Sequence, residues 1–145
     1  MGNAILVNEN IDGATASPPR IAEDSLCNFA VTWRQVKNYQ YDIYCRLFDN
    51  NGKPQSENIK VNSDPSEIYK SKSYPDIGVD QSGNTMIVWS DDRDGDYDVY
   101  CQRYTKSGIP LGDNLKVNND SDTTDQKYPV ISVSESGNFI VVWED

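Results

Sequence analysis

Five aspartates crowd eight residues of this chain, Asp91, Asp92, Asp94, Asp96 and Asp98, with Arg93 and Gly95 among them. Carboxylates alternating around a glycine are how a short loop supplies the roughly six to eight oxygens that calcium accepts. Asp91, Asp94, Asp96 and Asp98 are therefore candidate calcium ligands, and calcium is the one cofactor these residues suggest. Against that chemistry, Gly95 falls one place too early for an EF-hand loop, and Arg93 puts a positive charge inside the cluster. A plain hairpin turn, braced by Asx bonds and by Arg93 paired to Asp91 or Asp98, uses the same residues.

Aromatic side chains offer a second chemistry. Their faces stack on sugar rings, so Trp33, Trp89 and Trp143 and the tyrosines Tyr39, Tyr69 and Tyr74 are the residues to weigh. Each tryptophan ends an apolar run, which assigns it to packing between structural units. The three tyrosines fall in loops or at strand starts and form the expected recognition surface. Glycoside hydrolysis would need two carboxylates about 5 to 9.5 Å apart, but with 23 acidic residues a pair is easily found by chance. Neither an arginine cluster for an acidic sugar nor a Ser-x-Asp-x-Gly-x-x-Trp box, the marks of sialidase-like propellers, is visible. The chain has no histidine, so zinc sites of the usual kind and Ser-His or Cys-His nucleophiles are not expected. Cys27, Cys45 and Cys101 read as small buried apolar residues. Cys45 and Cys101 take the same place in successive repeats, too far apart for a disulfide, which spans at most about 7 Å between Cα atoms.

What must position these residues is an internal repeat. Trp33, Trp89 and Trp143 stand 56 and 54 residues apart, and each apolar run is preceded by a proline, Pro19, Pro75 or Pro129. Tyr41-Asp42-Ile43-Tyr44-Cys45 returns as Tyr97-Asp98-Val99-Tyr100-Cys101, and Asn58-Ile59-Lys60-Val61-Asn62 as Asn114-Leu115-Lys116-Val117-Asn118. A period of this size means stacked units. Each unit reads as four short strands: one opening after the proline, one apolar on both faces ending at tryptophan, one alternating, and one bearing a lysine that guards an edge. Gly and Asn at 83–84 and 137–138 suit tight turns. This predicts an all-β chain, a β-propeller of four-stranded antiparallel blades, about two and a half per chain. The rival, a two-sheet sandwich, would need a polar face on each central strand, and Met86 to Trp89 leaves none.

The expected boundaries are a single propeller fragment over 1–145, divided into an outer strand of a split blade at 1–8, full blades at 19–62 and 74–118, and the first two strands of a third at 128–145. Bare blade faces drive association, so the expected partner is a second copy, a homodimer completing a ring of about six blades. A formal charge of -10 disfavours nucleic acid. No run approaches the roughly 20 apolar residues of a membrane span, and the first residues have neither the basic start nor the apolar centre of an export signal.

Trp89-Ser90-Asp91-Asp92-Arg93-Asp94-Gly95-Asp96-Tyr97-Asp98-Val99-Tyr100, followed by Gly108, Leu111-Gly112 and Val117-Asn118, resembles the repeats of prokaryotic secreted and cell-surface β-propeller proteins. That resemblance implies an extracellular or cell-surface setting and a scaffolding or ligand-binding role. The first unit departs from it, with Arg34, Gln35, Lys37 and Tyr39 where the second has Ser90, Asp91, Arg93 and Gly95. The expectation is a non-catalytic binding module that presents loops to protein or glycan. The alternative is a carbohydrate-acting propeller hydrolase.

Overall fold

A computed structural model describes residues 4–8, 13–64, 70–119 and 123–145. Among them there is no helix. The strands are β1 (Thr15–Ala16), β2 (Arg20–Glu23), β3 (Phe29–Lys37), β4 (Gln40–Phe48), β5 (Ile59–Lys60), β6 (Lys72–Val79), β7 (Thr85–Asp91), β8 (Asp98–Tyr104), β9 (Leu115–Lys116), β10 (Lys127–Val133) and β11 (Phe139–Glu144). They form three antiparallel sheets, one per repeat: β2-β3-β4-β5 with β1 added beside β3, then β6-β7-β8-β9, then the β10-β11 hairpin. Ile5 to Val7, expected as an opening strand, has no strand assignment.

The sheets stack through the faces that the apolar runs supply. Strand β7 is buried at every position, because both its faces are covered. One face carries Ile87 and Trp89 into a cluster with Ala30, Ile43, Cys45, Leu47 and Val61 of the first unit. The other sends Met86 and Val88 against Ile131, Val133 and Val141 of the third. Gly78 permits that second joint: a Cβ there would lie 2.3 Å from Val133 Cγ2. Trp33 and Trp89 are buried, as expected of packing residues, but Trp143 remains 36% exposed. The physical reason is that β11 has no third strand beside it among the described residues, so nothing takes the place of Tyr44 and Tyr100, which stack on Trp33 and Trp89; on the opposite face of β11, Ile140 and Val142 are exposed as well.

The Lys-x-Asn of each outer strand has a defined role. Lys60 Nζ lies 2.9 Å from Asp42 and Lys116 Nζ 2.6 Å from Asp98. Asn62 and Asn118 each accept from the backbone of the third strand, at Ile43 and Val99, and donate to the same aspartates. These lysines, on the edge strands β5 and β9, thus also bind within their own sheets.

Candidate functional site

The beginnings of β2, β6 and β10 converge. Each is marked by a proline, and the flanking residues occupy matching places: Pro18, Tyr74 and Tyr128 before it, Arg20, Asp76 and Val130 after it. All of these, with Ser17 and Arg34, line one cavity of about 560 Å³. The register of β6 against β7 slips between Ser73 and Asp76, and that of β10 against β11 between Lys127 and Val130. Such bulges re-aim side chains. Here they place Tyr74 and Tyr128 in the left-handed region, at φ of 53° and 56°. For residues without a glycine's freedom this costs about 1–2 kcal/mol each, a strain that concentrates where side chains must be presented in one direction. The two rings meet at 4.2 Å between centroids, tilted by 49°, and both are nearly half exposed.

Asp76 is the carboxylate of the cavity and its central tie. Oδ2 accepts the Ile131 backbone N–H at 2.9 Å, and Oδ1 lies 3.8 Å from Arg20 Nε. One side chain on the middle unit thus engages both neighbours. Arg34 comes from β3, where the second unit has Ser90. Its guanidinium donates to Ser73 Oγ at 3.4 Å and stands 5.6 Å over the Tyr41 ring, while its buried Nε has no hydrogen-bond partner among the described residues.

Other residues singled out from the sequence lie elsewhere. Of the three tyrosines only Tyr74 reaches the cavity. Tyr39 is 79% exposed at the tip of the β3-β4 hairpin, and Tyr69 falls outside the described residues. The aspartate loop is a latch, and the calcium reading does not fit it. Asp91 Oδ2 accepts from Trp89 Nε1 at 2.8 Å and from Arg93 at 2.6 Å. Asp94 accepts the Tyr100 hydroxyl at 2.6 Å, Arg93 lies over the Tyr100 ring at 4.1 Å, and Asp98 is held by Lys116 and Asn118. Burial works against the Arg93 cation, but the hydrogen bond and charge of Asp91, aided by Tyr100 and Asp64, together outweigh it, so the Arg93 pKa is raised. With Asp91, Asp94 and Asp98 turned to different partners, these oxygens do not converge on one point. Among the described residues, no group of three or more His, Cys, Asp or Glu side chains is placed to hold a metal ion.

Nucleophilic sulfur is also remote from the cavity. Burial pushes the Cys45 thiol up to about 12 and raises that of Cys101, which leaves both as thiols at neutral pH. Cys27, expected to be buried, is instead exposed in the turn before β3.

Arg20, Arg34, Asp76 and Tyr128 were not recognised from the sequence as site residues. Their signal was the repeated Pro itself: if the inner strands meet, whatever flanks Pro19, Pro75 and Pro129 must meet too. The missing arginine cluster is in part here, since Arg20 and Arg34 share one cavity although they are distant from any common motif.

No protein-family model matches the chain, and no curated protein matches it. Among solved structures the fold is similar to that of an endo-arabinase from Bacteroides thetaiotaomicron, with a TM-score of 0.58 and 16% identity over 97% of this chain. The match covers 55% of that enzyme's chain. This chain therefore spans about half the length of the protein it resembles. The similarity is one of fold, and that fold is a β-propeller. The expectation of a non-catalytic module that is no enzyme is corrected by this finding, since the solved structure similar in fold is that of an enzyme.

Proposed function

We propose that this chain is part of a β-propeller hydrolase that acts on a carbohydrate polymer, with substrate bound in the cavity at the start of the three inner strands. The observation that carries this reading is the convergence of Tyr74, Tyr128 and Asp76 on one opening of about 560 Å³. Two tilted phenol rings give a sugar an apolar face to stack on. Asp76 supplies a carboxylate beside it, held in place by the Ile131 amide. The likeness in fold to an endo-arabinase favours a polysaccharide as the substrate and makes arabinan the first one to try.

Hydrolysis of a glycoside ordinarily takes two carboxylates on either side of the bond, and among the described residues the cavity lining contains only Asp76. Ring closure would supply the other. The exposed Ile140 and Val142 correspond to Met86 and Val88, which are 4% and 0% exposed because the next sheet covers them. Ile5 packs on the Gly52 turn, as Ile59 packs on the Gly108 turn, and the Val7 carbonyl accepts from Arg46 as the Val61 carbonyl accepts from Asn114. These contacts favour a reading in which residues 5–7 stand where a preceding blade's outer strand would lie. These features favour a second copy seated on β10-β11, completing a ring of about six blades and bringing its own Asp76 to the shared axis.

The test is release of reducing ends from linear arabinan, xylan and pectic polymers by the purified chain, with light scattering on the same sample. Turnover by a particle of twice the chain mass, abolished in Asp76→Asn while binding persists, is expected. A monodisperse monomer, or no turnover of any polymer by the dimer, overturns the reading.

A further inference from the structure

We infer that the cavity selects a carboxylate-bearing sugar, a uronic acid unit of an acidic polysaccharide, over a neutral one. This rests on the cavity being a carbohydrate site, as proposed above, and adds the charge of its ligand. Arg20 and Arg34 both line the opening, and Asp76 is the only acidic residue there among the described residues. Neither oxygen of Asp76 neutralises Arg34: Oδ2 is engaged by the Ile131 amide and Oδ1 faces Arg20 at 3.8 Å. Arg34 is left with a single guanidinium hydrogen bond, a long one of 3.4 Å to Ser73, and a buried Nε without a partner among the described residues.

A buried donor without an acceptor is costly, and one that a ligand oxygen could satisfy is a binding determinant. The planar guanidinium matches a carboxylate in a forked pair and matches single hydroxyls less well. The rest of the chain carries the opposite sign, with a net charge of -10. The local excess of positive charge at this opening therefore runs against the sign of the chain as a whole. The two tyrosine rings lie in the same lining, so a sugar stacked on them would present a ring carboxylate towards Arg34. The second unit has the uncharged Ser90 at the Arg34 position.

Binding by the whole chain to three polymers separates the outcomes: polygalacturonate, its fully methyl-esterified form, and linear arabinan, each followed by calorimetry at about 0.15 M salt, where distant charges are screened. Polygalacturonate should bind at least about tenfold more tightly than its ester. Arg34→Gln should remove most of that preference and leave arabinan binding within about twofold, Arg34→Lys should give an intermediate loss because it keeps charge without the fork, and Tyr74→Ala should weaken all three. Circular dichroism of each variant shows that it is folded. Equal or tighter binding of the ester or of arabinan, or an unchanged preference in folded Arg34→Gln, overturns the inference while leaving a neutral-polymer hydrolase standing. Selective polygalacturonate binding without turnover of any polymer does the reverse, and no binding to any of the three removes both.

Discussion

The first and second units carry a buried tryptophan at the same place in the same sheet, yet only one of the two indoles is hydrogen-bonded. Trp89 Nε1 donates to Asp91, which also holds Arg93, and Arg93 covers Tyr100. Trp33 Nε1 is buried with no partner among the described residues, because Gln35 and Lys37 replace the aspartate and arginine. Their hairpins differ accordingly. Asp91 pairs with Asp98 across a loop of six residues, whereas Lys37 pairs with Gln40 across Asn38-Tyr39, both at positive φ. Burial of the indole is common to both, so packing is what the repeat preserves. The polar latch is an addition of the middle unit, and the first unit has instead turned its Trp-plus-one position, Arg34, to the cavity.

Removing the latch tests this most severely. Asp91→Ala leaves a largely buried guanidinium and an indole N–H without their acceptor, and should cost about 3–5 kcal/mol in urea denaturation. The matching change in the first unit, Gln35→Ala, should cost under about 1 kcal/mol. Equal losses would mean that the two tryptophans are held in the same way.

The joints between units offer a second contrast. Lys72, 2% exposed, pairs with Asp64 at 2.7 Å between the first and second units. At the corresponding place before the third unit stands the neutral Gln126. Burial alone would raise the Asp64 pKa, but hydrogen bonds from Lys72 and Asn62 outweigh it and hold it below the ordinary 3.8. The folded state therefore takes up this proton less readily than the unfolded chain. The stabilisation is fully present above about pH 4 and is lost as pH falls through the depressed folded value. Asp64→Asn should lower stability at neutral pH and flatten that part of the acid limb, read from melting temperatures between pH 7 and pH 2. An unchanged acid limb would detach the pH response from the first joint.

The smallest effect concerns the first hairpin. A two-residue turn with both φ values positive suits Asn-Gly, and Tyr39 stands where glycine is preferred. Tyr39→Gly should therefore raise stability by about 1 kcal/mol and leave polysaccharide binding unaltered, since Tyr39 lies outside the cavity. Loss of binding in that variant would return the recognition surface to the hairpin tip.

Much of the scaffold is legible in the residues themselves. Met86 to Trp89 is apolar at every position, and β7 is buried throughout; Gly83 and Gly137 both take positive φ in their hairpin turns. The spacing of Asp91 and Arg93 suits the ion pair that the loop contains. The site was not legible to the same degree. Tyr74 stands out; its ring partner Tyr128 and the carboxylate Asp76 are marked only by their place beside a repeated proline, and Arg34 lies outside that motif, tens of residues away.

That division has a physical cause. Turn chemistry, strand alternation and the period of the repeat act between residues close along the chain or copied from unit to unit, so composition and spacing alone determine that these segments are strands and that the strands stack. Which side chains face one another across the opening depends on two register slips, at 73–76 and 127–130, and on how closely Gly78 lets the third sheet approach. Those are distances between separate sheets, and only the packed chain sets them.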